Sequence, residues 1–215
     1  MAVIYKMGLL QGAYHTVFPT YINVLRKNLK GCKSVLELGC GKSSPLKHVD
    51  KTFYSVGVDL HRPAIAQSRK MGIHDRYVAS SVLKTKFKNN EFDCVIALDL
   101  IEHLRKKDGY RLIKEMERIA KRKIIIFTPN GFLPQGSIEG NEHQEHISGW
   151  TWKEMEMLGF SVYGINGWKP LRGERTAIKW KPARIWEAVS ILTQPLVYPL
   201  PRHAFQIFCV KYLKK

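Results

Sequence analysis

The stretch Val35-Leu36-Glu37-Leu38-Gly39-Cys40-Gly41-Lys42-Ser43-Ser44-Pro45 decides the fold. Its apolar start predicts a buried strand. The two glycines predict a sharp turn that a ligand can approach closely, because glycine has no Cβ. Ser43 or Ser44 can cap a helix that has Pro45 in its first turn. A strand, a glycine turn and a helix N-terminus with free N–H groups together predict a nucleotide-type binding site.

A second apolar run supports this interpretation. The strand candidate 53–58 ends next to Asp59, which lies 20 positions after Gly39. At this spacing, an acidic residue at the tip of the second strand binds the hydroxyl pair of a ribose. The sequence therefore predicts a ligand that contains a ribose.

Two common nucleotide motifs are incomplete in this stretch. Ser44 stands where a dinucleotide fingerprint needs its third glycine, and Leu36 stands where a P-loop needs its first. Glu37, two residues before Gly39, fits a phosphate site poorly. An acidic group there suits a ligand that carries an ammonium group.

The segment Glu37-Leu38-Gly39-Cys40-Gly41, followed by Val58-Asp59, resembles motifs I and II of class I S-adenosylmethionine-dependent methyltransferases. The likeness continues through Phe92–Asp99, Ile101–Leu104 and Gly159-Phe160, and it covers about residues 33–165. It fits the small-molecule, type 11-like branch of that family. The resemblance implies an α/β, Rossmann-like methyltransferase fold: a mostly parallel seven-stranded sheet with helices on both faces and an antiparallel last strand.

The resemblance also implies S-adenosylmethionine as the cofactor. The glycine turn would pack against its methionine part, Asp59 would bind the ribose hydroxyls, and residues 80–82 would face the adenine. The family often has Asp in the segment that faces the adenine, where this chain has Ser80 and Ser81. The predicted cofactor-binding residues are Glu37, Gly39, Cys40, Gly41, Asp59, Leu60, Ser80, Ser81, Val82 and Asp99.

Two histidines on predicted site loops, His103 and His146, are the candidate catalytic residues. A base helps methyl transfer to a hydroxyl, and histidine titrates near neutral pH. His103 can equally pack or cap, since a Glu-His pair after the fourth strand is common in the family.

Asp99, Glu102, His103 and His146 also form a candidate metal set, with His143 as an alternative to His146. Mixed oxygen and nitrogen ligands suit magnesium, manganese or a similar divalent ion. The arrangement resembles that of small-RNA 2′-O-methyltransferases and quinone-pathway O-methyltransferases. The same Glu-His pair also occurs in metal-free relatives.

Apolar runs alternate with helical patterns from Lys33 onward, which predicts a parallel sheet covered on both faces. We expect a single methyltransferase domain over 1–215. It comprises an N-terminal helical extension (1–32), a cofactor-binding core (33–165) and a basic insertion with Trp and Pro before the last strand (166–203). The strand candidates are 34–38, 53–58, 76–80, 93–98, 124–128, 160–165 and 204–211. The helix candidates are 16–28, 45–50, 63–71, 108–122 and 151–157, and a short helix within 185–192 is expected to end before Pro195, Pro199 and Pro201.

The net charge of +17 and the pI near 9.8 favour an anionic partner. Nucleic acid, acidic phospholipid and a phosphorylated substrate are the candidate partners. A solvated basic surface without a partner is the alternative. The four cysteines form no Cys-x-x-Cys pair, so buried reduced thiols are the simplest interpretation. No signal peptide and no run of 18 apolar residues is found, which favours a cytoplasmic protein, with contact at a membrane surface as one option.

The stretch 168–203 combines basic side chains with three tryptophans and a short amphipathic helix. Tryptophan and lysine or arginine together favour a membrane–water interface. The same residues suit RNA, through phosphate contacts and base stacking. A substrate lid with buried tryptophans is the third interpretation.

The sequence as a whole predicts an S-adenosylmethionine-dependent methyltransferase that acts on an oxygen of a small-molecule or lipid-linked acceptor. The Asn/Asp-Pro-Pro-Tyr/Phe motif of amino-directed enzymes is absent after the fourth strand, and no Pro-Cys dipeptide offers a cytosine-C5 nucleophile. An RNA 2′-O-methyltransferase, with or without a metal, and a non-catalytic cofactor-binding protein of the same fold are the alternatives.

Overall fold

The computed structural model describes residues 18–137 and 144–214, apart from the side chain of Arg175. It contains one seven-stranded sheet, with strands β1 (Ser34–Leu38), β2 (Tyr54–Asp59), β3 (Arg76–Ala79), β4 (Phe92–Leu98), β5 (Ala120–Pro129), β6 (Ser161–Trp168) and β7 (Ala204–Tyr212). The strand order is β3-β2-β1-β4-β5-β7-β6. β7 lies antiparallel between β5 and β6, and the other neighbours pair in parallel. The predicted fold class is confirmed.

The α-helices are α1 (Tyr21–Leu29), α2 (Arg62–Lys70), α3 (Lys106–Ile119), α4 (Trp152–Met157) and α5 (Ala183–Val197). Thr20 caps α1, and Thr151 forms a capping box with Glu154 at the start of α4. None of the helices in the described part of the chain is long and apolar enough to span a membrane. The division of the chain into extension, core and insertion stays a prediction.

Three predicted helix ends were wrong. The helix predicted over 16–28 begins only at Tyr21, because Thr20 has an extended backbone and caps the helix. The helix predicted over 108–122 ends at Ile119, because residues from Ala120 onward pair with β4 as the start of β5. Pro195 lies inside α5 instead of ending it. The side chain of Gln194 ties this part of the helix to the sheet, since it donates to the carbonyl of Gly164 and accepts from the N–H of Gly167. This packing outweighs the hydrogen bond that a proline cannot make.

Alternation along the strands builds two apolar cores, one on each face of the sheet. Leu36 and Leu38 of β1 belong to one core, which also holds the buried side of α3. Val35 belongs to the other, together with the buried side of α1. The sheet is therefore anchored from both faces, and its strand ends are free to carry the site.

A substitution at Gly109 in α3 tests how tightly the core that contains Leu36 and Leu38 is packed. A Cβ at this position would overlap the ring of Trp150, which is fully buried and donates from Nε1 to Ser148 Oγ at 3.1 Å. Overpacking of this kind costs about 1–3 kcal/mol, whereas alanine gains only about 1 kcal/mol over glycine in a helix. We therefore expect Gly109→Ala to lower the free energy of unfolding by up to about 2 kcal/mol in denaturant titration.

Gly136→Ala is the control, because a Cβ at Gly136 meets nothing within 4 Å. This variant should stay within about 0.5 kcal/mol of the parent protein. A Gly109→Ala protein that is more stable than the parent would contradict the packing described here.

Candidate active site

The glycine turn after β1 has the geometry that its sequence demands. Gly39 and Gly41 have φ angles of +74° and +53°, in the left-handed region that glycine adopts without strain. The N–H groups of Gly39 and Cys40 both donate to the carbonyl of Val58, at 2.8 and 3.0 Å. A Cβ on Gly39 would lie 2.7 Å from Leu100 Cδ1, so neighbouring protein as well as a ligand excludes a side chain there. Position 41 is open within 4 Å.

The helix predicted over 45–50 is instead a four-residue 3₁₀ helix, Pro45–His48. Ser44 caps it by accepting from the N–H of Leu46, as one of the two predicted caps. The helix stops at Val49, whose backbone is extended with φ −106° and ψ 129°, and the N–H of Val49 donates to the carbonyl of Leu46 in the 3₁₀ pattern. The glycine turn therefore faces the N-terminus of a short 3₁₀ helix and not that of a long α-helix with a large dipole.

Glu37 is buried beneath the turn, and both of its carboxylate oxygens contact protein groups. Oε1 accepts from Ser44 Oγ at 2.9 Å, and Oε2 lies 2.7 Å from His74 Nε2. His74 Nδ1 is buried without a hydrogen-bond partner among the described residues. Binding of a cofactor ammonium by Glu37 stays a prediction. His74 was missed by the sequence analysis, because no motif marks a histidine 37 positions away as its partner.

Asp59 connects the tip of β2 to the glycine turn. Its Oδ2 accepts from the N–H of Gly41 and its Oδ1 from the N–H of His61, both at 2.8 Å. A carboxylate offers about four acceptor positions, so two remain for a ribose diol. Leu60 beside it is 57% exposed, as a residue that covers a ligand would be.

The residues predicted to face the adenine follow β3. Ser80 donates its N–H to the carbonyl of Asp59 at 3.0 Å, which places this loop beside the predicted ribose site. Ser81 Oγ accepts from the N–H of Leu83, and Val82 packs into the core. The adenine role of these three residues stays a prediction.

Cys40 lies in the turn as a neutral thiol. Burial raises its pKa, and the negative charges of Glu37 and Asp59 raise it further. A thiol held in this form is a weak nucleophile. We therefore treat Cys40 as a packing residue of the cofactor site.

Asp99 ends β4 in a strained conformation. Its φ angle is +49°, which is unusual for a residue with a side chain, and its N–H donates to the carbonyl of Phe127. Asp99 keeps solvent-accessible surface, but burial of its carboxyl removes water from the charged form and raises the pKa to about 7. Gln206 of β7 donates to Oδ1 at 3.1 Å and opposes that rise.

Tyr21 of α1 reaches the same region. Its ring stacks on Phe127 with centroids 3.9 Å apart, and its hydroxyl is buried without a hydrogen-bond partner among the described residues. Burial and the negative charges of Asp99, Glu37 and Glu102 raise the pKa of this phenol, so it stays a donor. Tyr21 lies within the predicted helix 16–28, and no motif in the sequence marks its hydroxyl for the site.

Three of the four predicted metal ligands come together. One ligand atom from each of Glu102, His103 and His146 lies within 4.8 Å of those of the other two. The atoms of Asp99 are outside this group, because the left-handed backbone directs that side chain towards Gln206. We call Glu102, His103 and His146 the triad. His143 lies outside the described residues.

Both imidazoles of the triad are held in the same tautomer by a backbone carbonyl, although their ring planes differ by 66°. Nδ1 of His103 is 2.9 Å from the carbonyl oxygen of Glu145, and Nδ1 of His146 is 2.7 Å from that of Leu133. A carbonyl only accepts, so each Nδ1 carries the hydrogen and each Nε2 of a neutral ring keeps its lone pair. Burial lowers the pKa of both histidines and favours the neutral form.

Glu102 is the third residue of the triad. Its Oε2 accepts from Thr128 Oγ1 at 3.0 Å, whereas Oε1 is buried without a hydrogen-bond partner in the described part of the chain. Burial and, second, the charge of Asp99 raise the pKa of this carboxyl. The triad therefore combines two free imidazole nitrogens with one unsatisfied carboxyl oxygen.

Comparison with known proteins finds a similar domain. A family model described as a methyltransferase domain matches residues 36–127, which include the glycine turn, Asp59 and the Glu102-His103 pair. This stretch, less than half of the chain, is similar to that family. S-adenosylmethionine is the cofactor that the motifs predict for it.

Three similar proteins illustrate this match. An uncharacterized protein of Methanocaldococcus jannaschii is 26% identical over 150 residues, which are 67% of this chain and 63% of that protein. A SAM-dependent methyltransferase from Archaeoglobus fulgidus superposes with a TM-score of 0.57 at 15% identity, over 94% of this chain and 99% of that one. The methyltransferase domain of a bacterial Hen1 gives a TM-score of 0.54 at 21% identity, over 89% and 97%. At these identities the structural likeness establishes the fold.

Asp59 is the residue whose loss should separate ligand binding from folding. Asp59→Ala removes the acceptor for the turn and the predicted partner of the ribose, and a charge-assisted hydrogen bond contributes about 1.5–3 kcal/mol. We expect affinity for S-adenosylmethionine, measured by calorimetry, to fall at least tenfold.

Asp75→Ala is the matched control for this variant. Asp75 also accepts from a backbone N–H, that of Ser55, but at the opposite end of β2. Its loss should lower stability and leave cofactor affinity unchanged. Equal affinity in the parent and Asp59→Ala proteins would remove Asp59 from the site.

Proposed function

We propose that this protein transfers a methyl group from S-adenosylmethionine to an oxygen of a small-molecule or lipid-linked acceptor. The observation that carries the proposal is the triad, which presents two neutral imidazole Nε2 atoms at the same edge of the sheet as the glycine turn. S-adenosylmethionine supplies an electrophilic methyl on its sulfonium sulfur. The protein contributes alignment, exclusion of water and a group that takes the acceptor proton.

A neutral histidine of the triad is suited to remove a hydroxyl proton. His103 Nε2 or His146 Nε2 has the free lone pair, and the carbonyl bonded at Nδ1 stabilises the imidazolium that forms. Because burial lowers both pKa values, the base form persists below the ordinary histidine pKa of about 6.5. Activity should therefore decline only when the pH falls below that range.

The same triad fits a divalent cation. Glu102 Oε1 is an unsatisfied buried oxygen, and the Nδ1 hydrogen bonds hold both rings as neutral ligands. Glu102, His103 and His146 would hold the ion, with Asp99 beside them. A bound ion would polarise the acceptor oxygen and assist its deprotonation.

Chelation separates these two roles of the triad. If the triad holds an ion, a chelator should abolish turnover, and added magnesium or manganese should restore it. His103→Ala and His146→Ala should also lose manganese binding in calorimetry. His203→Ala, which changes a histidine outside the triad, should keep it. Turnover that is indifferent to chelator would leave the two histidines as acid–base or packing residues.

RNA is the second candidate acceptor. The net charge of +17 and the likeness to a bacterial Hen1 methyltransferase domain favour it, since phosphate contacts dominate affinity for RNA. Transfer of label from S-adenosylmethionine to a 2′-hydroxyl of a short RNA would support this candidate. Absence of transfer to RNA, with transfer to a small hydroxyl compound, would exclude it.

The exposed face of α5 supports a lipid-linked acceptor. Ile185, Leu192 and Leu196 lie on one stripe and are 59%, 69% and 67% exposed, while Gln194 on the opposite side is buried against the sheet. Lys181 and Arg184 stand at the start of this helix, and Trp180 and Trp168 are 49% and 42% exposed. An apolar stripe beside cations and interfacial tryptophans matches an anionic membrane surface.

Vesicle sedimentation tests this surface. The protein should bind vesicles with anionic lipid more strongly than neutral ones, and salt should weaken the binding, because each basic residue adds about 1 kcal/mol through screened attraction. Changing Ile185, Leu192 and Leu196 together to serine should lower binding about tenfold or more.

Met157→Ser is the control, since Met157 is 72% exposed on a different helix, α4. It should bind vesicles like the parent protein. A parent protein that binds RNA but neither type of vesicle would refute the membrane surface and favour the second candidate.

A further inference from the structure

A cleft of about 530 Å³ lies beside the triad and belongs to neither the cofactor site nor the α5 stripe. One wall is formed by the chain after β5, with Phe132 and Leu133, and the other by the end of β6 and the chain that follows it, with Trp168 and Lys169. Leu133 joins the cleft to the triad, because its carbonyl accepts the hydrogen of His146 Nδ1. A ligand in the cleft would therefore lie next to the predicted base.

The charge of the lining has a single sign. Lys169, Arg172, Lys179 and Arg202 contribute cations, and no carboxylate lines the cleft in the described part of the chain. None of the four takes part in an ion pair within 4.0 Å among the described residues. Burial lowers the pKa of Lys169 and of Arg172, and for Arg172 the charge of Glu187 opposes the change. The lining of the cleft thus gathers positive charge, and Glu187, which offsets part of the charge of Arg172, lies outside that lining.

Two of these cations are held in place by uncharged groups. Lys169 Nζ donates to the carbonyl oxygen of Asn130 at the end of β5. Arg172 Nε donates to the carbonyl of Asn166 and to Ser190 Oγ, and one Nη donates to the carbonyl of Thr176 at 2.7 Å. Neutral acceptors position a cation but leave its charge available for a ligand.

We propose that the cleft binds a phosphate or diphosphate group of the methyl acceptor, so that the acceptor is a phosphate ester. This inference rests on the proposed methyl transfer and specifies its substrate class. Four cations around one cleft exceed the charge of a single carboxylate and match a multiply charged anion. Phe132, which is 60% exposed, and Trp168 add apolar area for the organic part of such an ester.

Inorganic diphosphate is the probe for the cleft, with S-adenosylmethionine titrated separately. Lys179→Ala/Arg202→Ala removes two lining cations. This change should weaken diphosphate binding about tenfold or more, since it removes charge-assisted contacts. Lys107→Ala/Lys114→Ala removes the same charge from exposed positions on α3 and should leave diphosphate binding unchanged. S-adenosylmethionine affinity should stay the same in both variants.

The two ligands separate failure of this inference from failure of the proposed function. Binding of S-adenosylmethionine without diphosphate, or equal weakening in both variants, would overturn the cleft assignment and leave methyl transfer standing. Binding of diphosphate without S-adenosylmethionine would overturn the proposed function and leave an anion site.

Competition experiments identify the source of the phosphate. Displacement of diphosphate by a soluble phosphate monoester supports the cleft as a site for a soluble acceptor. Displacement only by vesicles that contain phosphatidic acid supports a lipid headgroup in the same cleft. Displacement by neither would overturn the assignment to a phosphate ester.

Discussion

The carboxylate of Asp59 is the constraint on which the site depends. By accepting from Gly41 and His61, it fixes the left-handed turn after β1 against the tip of β2. The loop that begins at Ser80 is in turn bonded to the backbone of Asp59. The side chain and the backbone of this one residue together connect three strand ends. It does so while keeping acceptor capacity, which lets a structural group also serve as a ligand contact.

The sequence was sufficient for features that repeat or that depend on local spacing. All seven strands were predicted, because buried parallel strands are short apolar runs between turn signals. The cap at Ser44 and the positive φ of Gly39 and Gly41 follow from the chemistry of the turn itself. The 3₁₀ form of residues 45–48 goes with an extended backbone at Val49, which the capping pattern at Ser44 does not specify.

Features that depend on distant partners were not predictable in the same way. The partner of Glu37 is His74, and the hydroxyl of Tyr21 reaches the acidic groups from a helix before β1. Spacing alone also placed Asp99 and Glu102 in one metal set. In the structure these two carboxylates have different partners. The left-handed backbone at Asp99 directs its side chain to Gln206, whereas Glu102 lies close to His103 and His146. Backbone conformation, which a motif does not specify, decided which carboxylate joins the triad.

The chain between β6 and β7 connects the surfaces that would recognise an acceptor. Arg172 lines the cleft and donates to Ser190 of α5, so the cleft and the helix with the apolar stripe are held by one side chain. Gln206, just after this segment in β7, contacts Asp99 at the end of β4. The antiparallel strand therefore links the acceptor surfaces to the strand ends that carry the triad. The acceptor proposed here, with a phosphate, a hydroxyl and an apolar chain, would meet matching chemistry in all three places. Its recognition is the role that we infer for the cations and exposed apolar side chains concentrated in this one segment.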